Sequence, residues 1–202
     1  MARRFTPVLS VLSLALAALP LCAAGSVEPE QARRDALFRD ARSHLARRAF
    51  DFGLDRDHDF VPNNVHADDS GQIDVRVNQT FRGVRVFEGE AIVHFVGDRV
   101  AQTTQALIRN LDLQVEPSLS ATEALARVHE DLAPKGPYAV APSAELVVAL
   151  IETEGFRGKR TSLPRLVYHV HTELENGAEE TRHTDCFVDA HSGEILESWD
   201  SL

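Results

Sequence analysis

Candidate chemistry in these 202 residues starts with acidic and imidazole side chains at short spacing. His129-Glu130 is the sole His-Glu pair. A zinc-hydrolase helix needs H-E-x-x-H, so that two imidazoles one turn apart hold the ion and the glutamate activates water. Four residues after His129 stands Ala133, and one ligand cannot hold a catalytic zinc. Asp55, Asp57 and Asp59 have the spacing of the first three ligands of a calcium loop. Position six would then be Phe60 rather than glycine, and position twelve His66 rather than glutamate, so an acidic connector is the better reading. His169 and His171 leave one strand on the same face, as an H-x-H metal pair would. His183 and Cys186 lie near in sequence on opposite faces of theirs, and a polar sheet face with two histidines is the favoured reading. Cys186 sits in an apolar run and reads as a buried small hydrophobe. No nucleophile constellation and no glycine-rich phosphate loop is present, so neither enzyme activity, metal nor cofactor is expected.

The elements that would position these groups are mostly strands. In Ile73 to Arg82, Ile73, Val75, Val77 and Phe81 alternate with Asp74, Arg76, Asn78, Thr80 and Arg82, the period of a strand with one buried face. Arg82-Gly83 and Glu88-Gly89 interrupt the pattern around a run at Val84–Phe87; Ala91 to Val96 follows, and Gly97-Asp98 is a two-residue hairpin signal before Arg99 to Leu107. Gln79 points inward between Val77 and Phe81. A buried amide must be hydrogen-bonded, so it should tie down backbone at the Gly83 or Gly89 turn, with Arg76 and His94 doing similar work on the outer face. Asn78-Gln79-Thr80 is a glycosylation sequon, relevant only in a eukaryotic secretory route.

Helices flank the meander. Glu30 to Arg48 places Ala32, Ala36, Leu37, Ala41 and Leu45 at helical spacing among arginines 33, 34, 39, 42, 47 and 48, a solvated charged face more readily than a docking one. After Val115-Glu116-Pro117, Ser120-Ala121-Thr122-Glu123 is a capping box that starts a helix through Leu132. Strand-like runs follow at Leu146–Ile151, Leu166–Leu174, His183–Val188 and Glu194–Trp199, the middle two joined through Glu175-Asn176-Gly177.

Residues 1–24 read as a cleaved signal: Arg3-Arg4, an apolar charge-free run from Phe5 to Leu21, then Ala23, Ala24 and Gly25. Cleavage leaves about 178 residues with 19 basic against 31 acidic side chains, a net charge of −12. A chain so acidic has no basic face to neutralise phosphates, which disfavours a nucleic-acid partner. Cys22 leaves with the signal, so Cys186 is single and the core must suffice without disulfides. The expected location is secreted or periplasmic, with no membrane attachment after cleavage.

Arg76, Gln79, Gly83, Val86, Gly89 and His94 together resemble the motif of the pro-domain found in thermolysin-like and fungalysin-like secreted zinc proteases. Gly53-Leu54, Asp57-His58-Asp59-Phe60 and Asp69-Ser70-Gly71 fit its flanks. Family members often carry histidine where Asp74 stands and a second glycine where Glu88 stands. The second half resembles a PepSY-type module through Leu166-Val167-Tyr168-His169-Val170 and the stretch Phe187 to Leu196. The resemblance implies an α+β fold of two small cystatin-like subdomains, each a helix on an antiparallel sheet, at residues 25–116 and 117–202. It also implies a catalytic domain downstream, whereas these residues close at Trp199-Asp200-Ser201-Leu202 without its H-E-x-x-H.

The function so implied is that of a protease pro-domain, free-standing or separated from its enzyme, which assists folding of a thermolysin-type catalytic domain and blocks its cleft. The segment laid across the zinc site would be Glu197 to Leu202, with Trp199 as anchor or packed on its own sheet, and Asp200, Ser201 and Leu202 beside it. Alternatives are an exported interaction module with no protease partner and a truncated fragment of a zymogen.

Overall fold

The computed structural model describes residues 27–154, 160–175 and 181–201. The expected signal, the Asn176-Gly177 link and Leu202 lie outside the described residues. Helix α1 (Val27–Arg47) presents Leu37, Phe38, Ala41 and Leu45 to a sheet. Strands β1 (His58–Ala67), β2 (Gln72–Phe81), β3 (Val84–Val96) and β4 (Arg99–Ala106) follow, each antiparallel to the next, and bury Phe60, Val75, Val77, Ala91, Val93 and Phe95 beneath α1.

Helix α2 (Ala121–Leu132) has the expected capping box: the Glu123 N–H donates to Ser120 Oγ, and the Glu123 carboxylate accepts from the Ser120 N–H at 2.7 Å. It is followed by β5 (Tyr138–Glu154), β6 (Arg160–Glu175), β7 (Thr181–Asp189) and β8 (Ile195–Asp200), again antiparallel in sequence. Ala124 and Val128 of α2 pack on Val148, Leu166, Tyr168, Val170, Cys186 and Val188.

These strands form one eight-stranded sheet of order β1-β2-β3-β5-β6-β7-β8, with β4 on the far part of β3. The link between its halves is a short parallel pairing of Arg85 with Val147 and Val86 with Val148. Phe81, Val86 and Leu111 from the first half accordingly lie in the core under α2. The α+β class is as expected, carried by a mixed sheet that runs through both halves.

Two local expectations need correction. Asp57–Phe60 is not merely a connector flank, because His58 opens strand β1. The strand runs through Pro62 and Asn63-Asn64, because β1 is an edge strand whose register shifts between Pro62 and Asn64, where proline costs no ladder bond. Glu88-Gly89 does not end a strand either: β3 runs through it as a bulge.

Candidate functional site

That bulge is the centre of the motif. Asn78 pairs with Glu90 and Thr80 with Arg85, so Gln79 alone stands opposite Val86–Gly89. The surplus residues Val86–Gly89 leave the β2 ladder, and Arg85 and Val86 at the start of β3 make the parallel link to β5. Two turns set this up. Arg82 (φ 48°) and Gly83 (φ 84°) are both left-handed, as a type I′ hairpin requires. Glu88 (φ 60°) is also left-handed, at the place where the family often has glycine.

Gln79 is fully buried and its amide is satisfied on every side. Nε2 donates to the Ile108 carbonyl at 2.7 Å and to His58 Nδ1 at 2.8 Å, while Oε1 accepts the Ile108 N–H at 2.9 Å. Because the amide is the donor, His58 carries its own proton on Nε2, which faces Asp55 at 3.7 Å. Burial pushes the His58 pKa down, against the pull of Asp55 and Asp57. A Cβ on Gly89 would stand 2.7 Å from Gln79 Oε1 and 3.0 Å from Val86 Cβ, so only glycine admits this amide. Gln79 therefore ties down backbone as expected, but at Ile108 rather than at either turn. No spacing rule points to a partner 29 residues on.

Ile108 begins the connector that leads to α2, and side chains of both halves pin it. Arg82 donates to the Leu113 carbonyl at 3.0 Å while its Nε holds Asp57 at 2.8 Å. From β6, the Tyr168 hydroxyl donates to the Leu119 carbonyl at 2.6 Å. Across the link itself, Arg85 forks onto Glu145 at 2.6 and 2.7 Å. The outer-face residues also pair: Arg76 with Glu90 at 2.8 Å, and His94 with Asp74 at 2.8 Å and Thr104 at 3.0 Å. The His94 bond holds the Asp74 carboxyl below the usual range. Asp59, once a calcium candidate, instead accepts the Arg42 fork from α1.

At the other end of the sheet, Trp199 on edge strand β8 is half-buried rather than a lone exposed ring. It stacks on His169 (5.9 Å between centroids, 3° apart) and meets Phe187 edge-on at 4.9 Å, with Phe87 against Phe187 in turn. Phe87, Glu88, Leu150, Phe187, Glu197 and Trp199 line a shallow depression there. Asp200 and Ser201 are exposed, and the Ser201 N–H donates to the His183 carbonyl at 2.9 Å.

Sequence reasoning missed Asp185. Its Oδ1 lies 2.8 Å from His169 Nε2 and 3.1 Å from His171 Nδ1, and of the two contacts the one to His171 is a hydrogen bond. Burial works against that carboxylate, but the Ser201 hydroxyl and the imidazoles outweigh it and lower its pKa. The available signal was an acid next to the apolar run Cys186–Val188; its register with His171 is set across the sheet. Cys186 is buried as expected, and burial raises its thiol pKa.

No curated protein sequence matches the chain. Among solved structures it is similar to the Bacillus megaterium YpeB C-terminal domain, at 14% identity and a TM-score of 0.40 over 83% of this chain. The similarity covers 64% of that chain, so these residues span less than two thirds of its length. Residues 58–98, from the start of β1 to the turn after β3, match the family model described as Fungalysin/Thermolysin Propeptide Motif. In the segment that carries the Gln79 bulge, the chain thus bears the propeptide motif of thermolysin- and fungalysin-type proteases.

Proposed function

We propose that the chain is an exported pro-domain that binds a thermolysin-type zinc protease, assists its folding and holds its cleft closed. The observation that carries this reading is the propeptide-motif match at residues 58–98, over a segment whose buried Gln79 clamp gives the motif a concrete structural role. These residues contain no H-E-x-x-H, so on this reading they hold a protease domain and the cutting belongs to that domain. On this reading residues 25–116 and 117–202 are two modules, the second PepSY-type, that share one sheet, and residues 1–24 direct export.

Differential binding supplies the physics. A preformed surface that fits only the native enzyme stabilises it over unfolded states, and an edge strand offers unpaired backbone to an extended partner. Strand β8 has such an edge, and the aromatic patch of Phe87, Phe187 and Trp199 lies beside it. We place the protease contact there, with Trp199 presenting one edge while its face rests on His169, and Asp200 to Leu202 running on toward the zinc cleft.

Titrating a purified thermolysin-type protease with the purified chain tests the inhibitory part. Activity should fall toward zero as the chain approaches stoichiometric excess, and Trp199→Ala should require a higher concentration. Unchanged activity at micromolar excess defeats inhibition.

A further inference from the structure

At the end of the β6–β7 hairpin, away from the motif, Glu173 and His183 stand directly opposite each other in register. Glu175 lies two residues on from Glu173 and shares its face. One donor atom from each of the three side chains falls within 4.8 Å of the other two. We propose that Glu173, Glu175 and His183 form a binding site for a divalent transition-metal ion of the zinc type, with water completing the coordination.

Three observations favour an ion over a set of salt bridges. First, His183 Nε2 is closed off from solvent and makes no hydrogen bond. Among the described residues the carboxylate oxygen nearest it, on Glu175, is 3.6 Å away, too long for a hydrogen bond. That gap is close to the edge of a tetrahedron about an ion with zinc-like bond lengths, about 3.4 Å. Second, the donors fit such an ion: one imidazole and two carboxylates suit zinc and its neighbours, whereas calcium wants oxygen alone. Third, an outer shell is in place. His171 Nε2 lies 3.1 Å from Glu173 Oε1 and its Nδ1 lies 3.1 Å from Asp185 Oδ1. His171 thus has a carboxylate at each ring nitrogen. Glu173 is thereby oriented by a hydrogen-bonded partner, as ligating carboxylates are.

The ion would add a side-chain clamp to the end of the β6–β7 ladder. It would do so on β7, whose His183 carbonyl also receives the Ser201 N–H at the end of the chain. The proposal does not depend on any protease partner.

The test uses the full chain, untagged and stripped of metal with a chelator, titrated with Zn²⁺ by calorimetry and with Co²⁺ by visible absorption. One ion per chain should bind with micromolar or better affinity and raise the unfolding temperature. Glu175→Gln, at an exposed side chain that leaves the fold intact, should weaken binding at least tenfold, and His183→Gln should do the same. His66→Ala, at an exposed histidine on β1, should leave it unchanged. Absence of saturable binding, or binding that neither Glu175→Gln nor His183→Gln weakens, would overturn the proposal.

Discussion

Gln79 takes both backbone groups of Ile108: its Oε1 accepts the N–H at 2.9 Å and its Nε2 donates to the carbonyl at 2.7 Å. One side chain thus imitates a strand neighbour for a connector that no strand pairs. Gln79→Leu keeps the volume and removes the imitation. It leaves the partly buried Ile108 N–H and carbonyl without this partner and should cost about 1–3 kcal/mol, read from the urea midpoint at constant slope. A loss under a few tenths of a kcal/mol would mean that water replaces the amide.

Glycine chemistry in the bulge gives opposite signs at adjacent positions. Gly89→Ala drives a methyl into Gln79 Oε1 and Val86 and should cost about 1–3 kcal/mol. Glu88→Gly relieves a left-handed non-glycine residue and should gain about 0.5 kcal/mol after the entropy of the unfolded chain is counted. Glu88→Ala, which removes the charge and keeps the strain, should gain nothing. Thermal melts of the three variants separate strain from charge.

His58 makes the clamp sensitive to acid. Its pKa is lowered in the folded state, so the unfolded chain binds the proton more readily, and stability falls as pH drops below the ordinary value of 6.5. Protonation would also put an N–H against the Gln79 N–H. His171 has the opposite sign: its raised pKa contributes stability that is complete below 6.5 and lost as pH rises through the folded value. Urea midpoints across the histidine range should therefore show a shallower acid-side loss for His58→Gln than for the parent chain. An identical acid limb would remove His58 from the cause.

Legibility followed the range of each interaction. The Ser120–Glu123 box and the Arg82-Gly83 turn could be read because capping and turn conformation are local to a few residues. The alternation from Ile73 to Phe81 could be read because one face is buried and the other wet. Strand β1 could not, since Pro62 and the Asn63-Asn64 pair carry turn signals that an edge position tolerates. The union of the two halves rests on Val86 meeting Val148, a pairing 62 residues apart that no pattern along the chain encodes. Gln79 was recognisable as a buried amide and Asp185 was not recognised as the shared partner of His169 and His171, because both roles are decided by what lies across the sheet.

The propeptide reading stands or falls on refolding. A denatured thermolysin-type catalytic domain should be diluted into native buffer with and without the chain, and folded enzyme counted after the complex is separated. The propeptide reading predicts a several-fold higher yield with the parent chain, and a smaller gain with Gly89→Ala, whose bulge is disrupted. Equal yields with and without the chain, together with unaltered activity of the native enzyme, would contradict it.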